Sequence, residues 1–135
     1  VWYWQRILCL FSRLGCNAVK TIIAGSRDIT DFAVIEQAAY ESGFHITEVV
    51  SGTARGVDKL GEGWASMNEV PIKRFPAQWE LYGRGAGIKR NAAMAEYADA
   101  LIAVWDGSSR GTKHMIDYAE GIGLRVYIFI PEYVE

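Results

Sequence analysis

Short apolar runs alternate along this chain with segments whose apolar residues recur at helical spacing. The run KTIIA, residues 20–24, is rich in β-branched side chains and closed by Gly25, which predicts a buried strand. Thr30 or Asp31 then offers an N-cap for a helix through Ser42, with Ile35, Ala38 and Ala39 on one face and Gly43 as its stop. HITEVVSG, residues 45–52, repeats the strand signal, and VDKLGEGWASM, residues 57–67, reads as a helix. Gly61 and Gly63 each cost about 1 kcal/mol in a helix interior, so close packing against a neighbour is expected to compensate.

PIKRF, residues 71–75, predicts a short third strand. Residues 76–87 carry Trp79, Tyr82 and three glycines and read as a loop. AGIKRNAAMAEYA, residues 86–98, predicts a helix, and DALIAVW, residues 99–105, a buried strand. A helix from Thr112 to Gly121 and a last strand, LRVYIFI at residues 124–130, complete the pattern before Pro131. Strands that alternate with helices and are apolar throughout imply a parallel sheet covered on both faces. The expected fold is therefore α/β: a single Rossmann-like three-layer sandwich with a mainly parallel five-stranded sheet, over residues 19–135.

Residues 1–18 stand apart as an N-terminal extension. The opening VWYWQRILCLF is apolar and aromatic, but Arg6 interrupts it, it is too short for a membrane span, and it lacks the features of a secretory signal. An amphipathic element covering an exposed face, a weak interfacial anchor, or a segment preceding a domain that begins near Val19 all remain open for it. Cys9 and Cys16 form no CxxC or Cys/His pattern, so neither a metal nor a disulfide framework is expected, and a reducing cytoplasm is the expected location.

A chain of 135 residues, half of them apolar, supports one core. Its formal charge of −2 supplies no global positive field, which argues against nucleic acid as a partner. Phosphate binding, if present, must be local.

Three predicted strands end in turns suited to it. The first is Gly25, Ser26 and Arg27. The second is SGTARGVD, residues 51–58, with Gly52, Thr53, Arg55 and Gly56. The third contains Asp106, Gly107, Ser108, Ser109, Arg110, Gly111 and Thr112. Glycine lets a ligand approach the backbone, and the helix N-termini beyond these turns offer unpaired N–H groups and a positive dipole end. Any one such turn is ordinary punctuation in an α/β protein. All three carry an arginine (Arg27, Arg55, Arg110), whose forked donors suit phosphate oxygens. Arg90 and Asn91 join the candidates because a cation at the start of a helix opposes the dipole. Trp79 and Tyr82 are candidates for stacking on a base, or else pin their loop to the sheet edge. Trp64, Trp105 and Met94 are assigned to the core.

The order GSR, SGTARGVD, GRGAGIKRNAAM, ADALIAVWDGSSRGT resembles the YspA/YpsA-related branch of the SLOG superfamily, which joins the fold of DNA-processing protein A to the LOG-type phosphoribohydrolases. The likeness covers about residues 19–130. SGTARGVD is similar to the SGxAxGID motif of the DNA-processing relatives, which implies a place in a nucleotide or DNA groove for Gly52, Arg55, Gly56 and Asp58. KRNAAM followed by GSSRGT resembles the RK..M and PGGxGTxxE pair of the phosphoribohydrolases, implying a phosphate-and-ribose role for Arg90, Gly107, Gly111 and Thr112. Where that hydrolase motif has glutamate, this chain has Met115, whose thioether cannot activate water. His114 is adjacent but points about 100° away on a helix. Asp58 and Asp106 remain as candidate catalytic groups, or as helix caps and arginine partners.

The resulting expectation is a small-molecule binding module. It holds a nucleotide or nucleotide-derived ligand of the ADP-ribose or NAD type and acts as a sensor, with no further cofactor. Alternatives are a nucleoside 5′-monophosphate N-glycosidase and, against the charge balance, a single-stranded DNA binder. The relatives imply a homo-oligomer.

Overall fold

The computed structural model describes residues 18–132, so the N-terminal extension with Cys9 and Cys16 lies outside the described residues. Five strands form one all-parallel sheet: β1 (Ala18–Gly25), β2 (His45–Ser51), β3 (Ile72–Arg74), β4 (Ala100–Val104) and β5 (Arg125–Phe129), in the order β3-β2-β1-β4-β5. The expected α/β sandwich is present, and its sheet is parallel throughout rather than mainly so.

Helices α1 (Phe32–Ser42) and α2 (Val57–Met67) cover one face. Val19 and Ile23 of β1 and Ala100, Ile102 and Val104 of β4 point into that layer, among Ile35, Ala38, Trp64 and Ala65. After β3 come a single-turn helix α3 (Trp79–Tyr82), a 3-10 turn at Gly83–Gly85, and α4 (Ala86–Tyr97). Helix α5 (Arg110–Gly121) joins α4 on the opposite face. There Ile22, Ala24, Leu101 and Ala103 meet Met94, Ala95, Met115, Ile116 and Ala119. Because residues 22–24 of β1 and all of β4 are buried on both faces, these stretches read as unbroken apolar runs rather than alternating ones.

Local signals set several boundaries. The Asp31 carboxylate accepts the Ala33 amide at the start of α1, and Gly43 ends it with φ of 72°. Gly61 is the close contact expected of a helical glycine: a methyl group there would lie 2.8 Å from Ile23. Gly63 has only an ordinary contact, 3.7 Å to the Phe32 ring, so close packing does not explain it. Strand ends shift by one or two residues from expectation, and two larger differences bear on the site. Residues 79–85 are helical rather than loop, and α5 starts at Arg110 instead of Thr112.

The chain winds outward from β1 to β3 on one side, then crosses back to β4 on the other side of β1. Strand order therefore reverses between β1 and β4. In open parallel sheets that reversal opens a crevice beyond the carboxyl ends of the strands, where ligands bind.

Candidate functional site

Two adjoining cavities, of about 310 Å³ and about 300 Å³, occupy this crevice and share Arg27, Ala54, Trp79 and Arg90 in their walls. The floor of the first is the end of β1, where Ala24 and Gly25 line it. The three turns singled out by sequence converge here, but they contribute in different ways.

The turn leading into α5 supplies the donors. Ser109 occupies the N-cap position without a side-chain cap, and the first intrahelical bond there runs from the Lys113 amide to the Ser109 carbonyl at 3.1 Å. The first-turn amides of Arg110, Gly111 and Thr112 precede that bond, so the helix has no acceptor for them. Ser109 and these three residues line the first cavity, and the helix dipole adds positive potential to it. Asp106 has a different role from that expected of a ligand group. Its Oδ1 accepts the amides of Ser108 and Ser109, both at 2.8 Å, and these bonds hold its carboxyl below the usual range. Asp106, Gly107 and Ser108 line neither cavity; they shape the loop that presents α5, with Gly107 at φ of 88°.

Ser26 is likewise structural. It is 1% exposed, its hydroxyl accepts the Asp106 amide at 3.0 Å, and its own amide donates to Val104 O at 3.1 Å. It locks the β1 and β4 turns together beneath the site. The neighbouring Arg27 lines both cavities.

In the turn after β2, two amides are already satisfied within the chain: Thr53 N donates to Ser51 Oγ at 3.1 Å and Ala54 N to Asp58 Oδ2 at 3.2 Å. Gly52, Thr53 and Arg55 line the second cavity, and Arg55 lies 3.7 Å from Asp28 in an exposed ion pair. Gly56, at φ of 80°, caps α2 and packs against the Arg27 backbone without lining either cavity.

Helix α4 ties these turns together. Arg90 donates from Nη1 to the Gly52 carbonyl at 2.6 Å and from Nε to Asn91 Oδ1 at 3.1 Å. Asn91 Nδ2 in turn reaches Gly111 O at 3.3 Å and His114 Nδ1 at 3.2 Å. One dipeptide thus spans from the β2 turn to the α5 N-terminus. Burial lowers the Arg90 pKa, with the Asp58 carboxylate opposing the shift, and the guanidinium stays charged.

Asp58, in the first turn of α2, is the carboxylate on the wall of the first cavity; it is 5% exposed. Burial pushes its pKa up to about 6, against the Ala54 amide and the nearby Arg90 and Arg27, which favour the charged form. Of the two carboxylates suggested by sequence, Asp58 faces the cavity and Asp106 does not.

Trp79 is half exposed and belongs to both cavity walls, whereas Tyr82 lines neither and lies against the Lys89 ammonium, 4.7 Å from its ring centroid. Arg84, Ile88 and His114 also line the first cavity, and sequence reasoning gave none of them a site role. A lone arginine in a glycine-rich stretch carries no local pattern that would mark it. Met115, at the position of the hydrolases' glutamate, is 1% exposed and packs in the α4–α5 core while closing the cavity wall. Among the described residues, no group of three or more His, Cys, Asp or Glu is placed to hold a metal ion, and no helix is long and apolar enough to cross a membrane.

The family model for the YspA, cpYpsA-related SLOG family matches residues 19–82, from β1 through α3. The Gene 61 protein of Mycobacterium phage D29 is 32% identical over 120 residues, covering 82% of this chain and 95% of that protein. The chain belongs to the YspA, cpYpsA-related SLOG family. No solved structure matches it. Membership in the SLOG family supports a Rossmann-like, nucleotide-related domain, in keeping with the five-stranded parallel sheet and its crevice.

Proposed function

We propose that the crevice binds a nucleotide or nucleotide-derived ligand of the ADP-ribose or NAD type, and that the protein acts as a sensor of it. The observation that carries this reading is the uncapped first turn of α5, which opens into a cavity whose wall includes Arg27, Arg84, Arg90 and Arg110. Unpaired amides, a helix dipole and forked guanidinium donors all favour phosphate oxygens, and this crevice concentrates them in a protein of net charge −2. Trp79, on the wall common to both cavities, offers a face for a base. Calorimetric titration of the full chain with ADP-ribose, NAD, AMP and ADP tests the reading. Micromolar or tighter binding of at least one supports it, and no binding at high micromolar concentration overturns it.

A second reading, N-glycosidase action on a nucleoside 5′-monophosphate, is favoured by Asp58. A buried carboxyl with a pKa of about 6 is suited to protonating a leaving base near neutral pH. The buried Met115 weighs against it, since it leaves the hydrolases' glutamate position without an acid. Release of free base from nucleoside monophosphates, abolished in Asp58→Asn, would favour this reading over simple binding.

A further inference from the structure

The first cavity is chemically two-ended. Over β4 stands the α5 N-terminus, with amide donors and Arg110. Over β2 stands Asp58, with Gly52 and Ala54 beside it. Arg90 and Asn91 run between these ends, one bonded to Gly52 and the other to Gly111. The α5 end offers donors, and the Asp58 side offers an acceptor whose charge Arg90 and Arg27 offset, so a ligand carrying phosphate at one extremity and hydroxyl donors beyond it matches both.

Asp58 is also held in place. Its Oδ2 accepts the Ala54 amide, and it packs against Gly52 so closely that a methyl group on that glycine would lie 2.8 Å from Oδ2 and 2.8 Å from Arg90 Nη1. An ionised carboxylate only accepts hydrogen bonds, with about four sites on two oxygens. A carboxylate on a cavity wall is therefore matched by a ligand that brings donors, and in a nucleotide the donors nearest the phosphate are the sugar hydroxyls.

Resting on the nucleotide-binding reading above, we infer that Asp58 accepts hydrogen bonds from the sugar hydroxyls of the bound nucleotide and makes the site selective for ribose over 2′-deoxyribose. Asp58 is then a specificity residue and the α5 turn an affinity element. The groups facing Asp58 are Arg90 from α4, Arg27 from the turn after β1, and Glu62 one turn along α2. The carboxyl titrates near pH 6, so it accepts fully above that pH and loses acceptor capacity below it.

The test is a set of calorimetric titrations of the full chain with AMP, 2′-deoxy-AMP and inorganic pyrophosphate, for the wild type, Asp58→Asn and Asp58→Ala. The wild type should prefer AMP over its deoxy analogue by about tenfold or more at pH 7.5, as expected for a hydrogen bond to a charged group. Asp58→Ala should bind the two equally and hold pyrophosphate at least as tightly as the wild type. If that variant fails to fold, the wild type alone decides, because its preference should shrink between pH 7.5 and pH 5. Equal affinities in the wild type overturn the inference and leave the binding reading standing. A preference that survives in Asp58→Ala, or is flat with pH, also overturns it. No binding of any nucleotide overturns both.

Discussion

A methyl group added to Gly25 would lie 1.9 Å from the carbonyl oxygen of Val104, its register partner across the central strands. At the floor of the crevice the backbones of β1 and β4 therefore approach as closely as they can only because Gly25 has no side chain. The obstruction is backbone, not a flexible side chain, so it cannot be relieved by a rotamer change. Gly25→Ala is expected to destabilise the fold by roughly 3 kcal/mol or more, measured by urea unfolding. A loss below about 1 kcal/mol would mean the two turns separate easily.

Asp58 makes stability depend on pH in a defined direction. Its folded pKa of about 6 lies above its ordinary 3.8, so between these values the native state holds a proton that the unfolded chain has released. Stability from this group falls as pH rises through that window and stays lower above it. Asp58→Asn removes the loss. The variant should equal the wild type near pH 4 and exceed it at pH 7.5 by on the order of 2 kcal/mol, by chemical denaturation at each pH. A difference that is constant with pH would contradict the assignment.

Asp106 acts in the opposite sense. Its folded pKa is lowered by the Ser108 and Ser109 amides, so its contribution is present above the unfolded value and lost as pH falls through the folded one. Asp106→Ala should cost about 1 kcal/mol at neutral pH, at the modest end because solvent screens this half-buried group. The deficit should fade in acid. Ligand affinity should also drop, because the loop that aims α5 loosens.

Trp79 is expected to contribute through its ring. Trp79→Ala should weaken AMP binding by about tenfold or more, as for other base-stacking aromatics, while pyrophosphate binding changes little. Equal weakening of both ligands would assign Trp79 to loop structure instead.

The fold was legible in the sequence because its signals are local. Asp31 and Gly43 bound α1 through their own side-chain and backbone chemistry, and the apolar runs of β1 and β4 follow from burial on both faces. The site was legible as turns but not as partners. Arg90 meets Gly52 across 38 residues, and Ser26 meets the Asp106 amide across 80, distances at which no spacing rule operates. For the same reason sequence could not separate residues that face the cavity, such as Arg27 and Gly111, from Ser26, Gly56 and Asp106, which build it. The aromatic stretch read as loop because Gly83, Gly85 and Gly87 suppress helical pattern, although Trp79–Tyr82 closes a single turn.

An amide-resolved NMR titration of the full chain with ADP-ribose tests the central claim most directly. The account predicts saturable shifts concentrated at Arg110, Gly111 and Thr112, together with Arg27 and the residues around Gly52. Shifts confined to the opposite, amino-terminal edge of the sheet, or none at millimolar ligand, would contradict it.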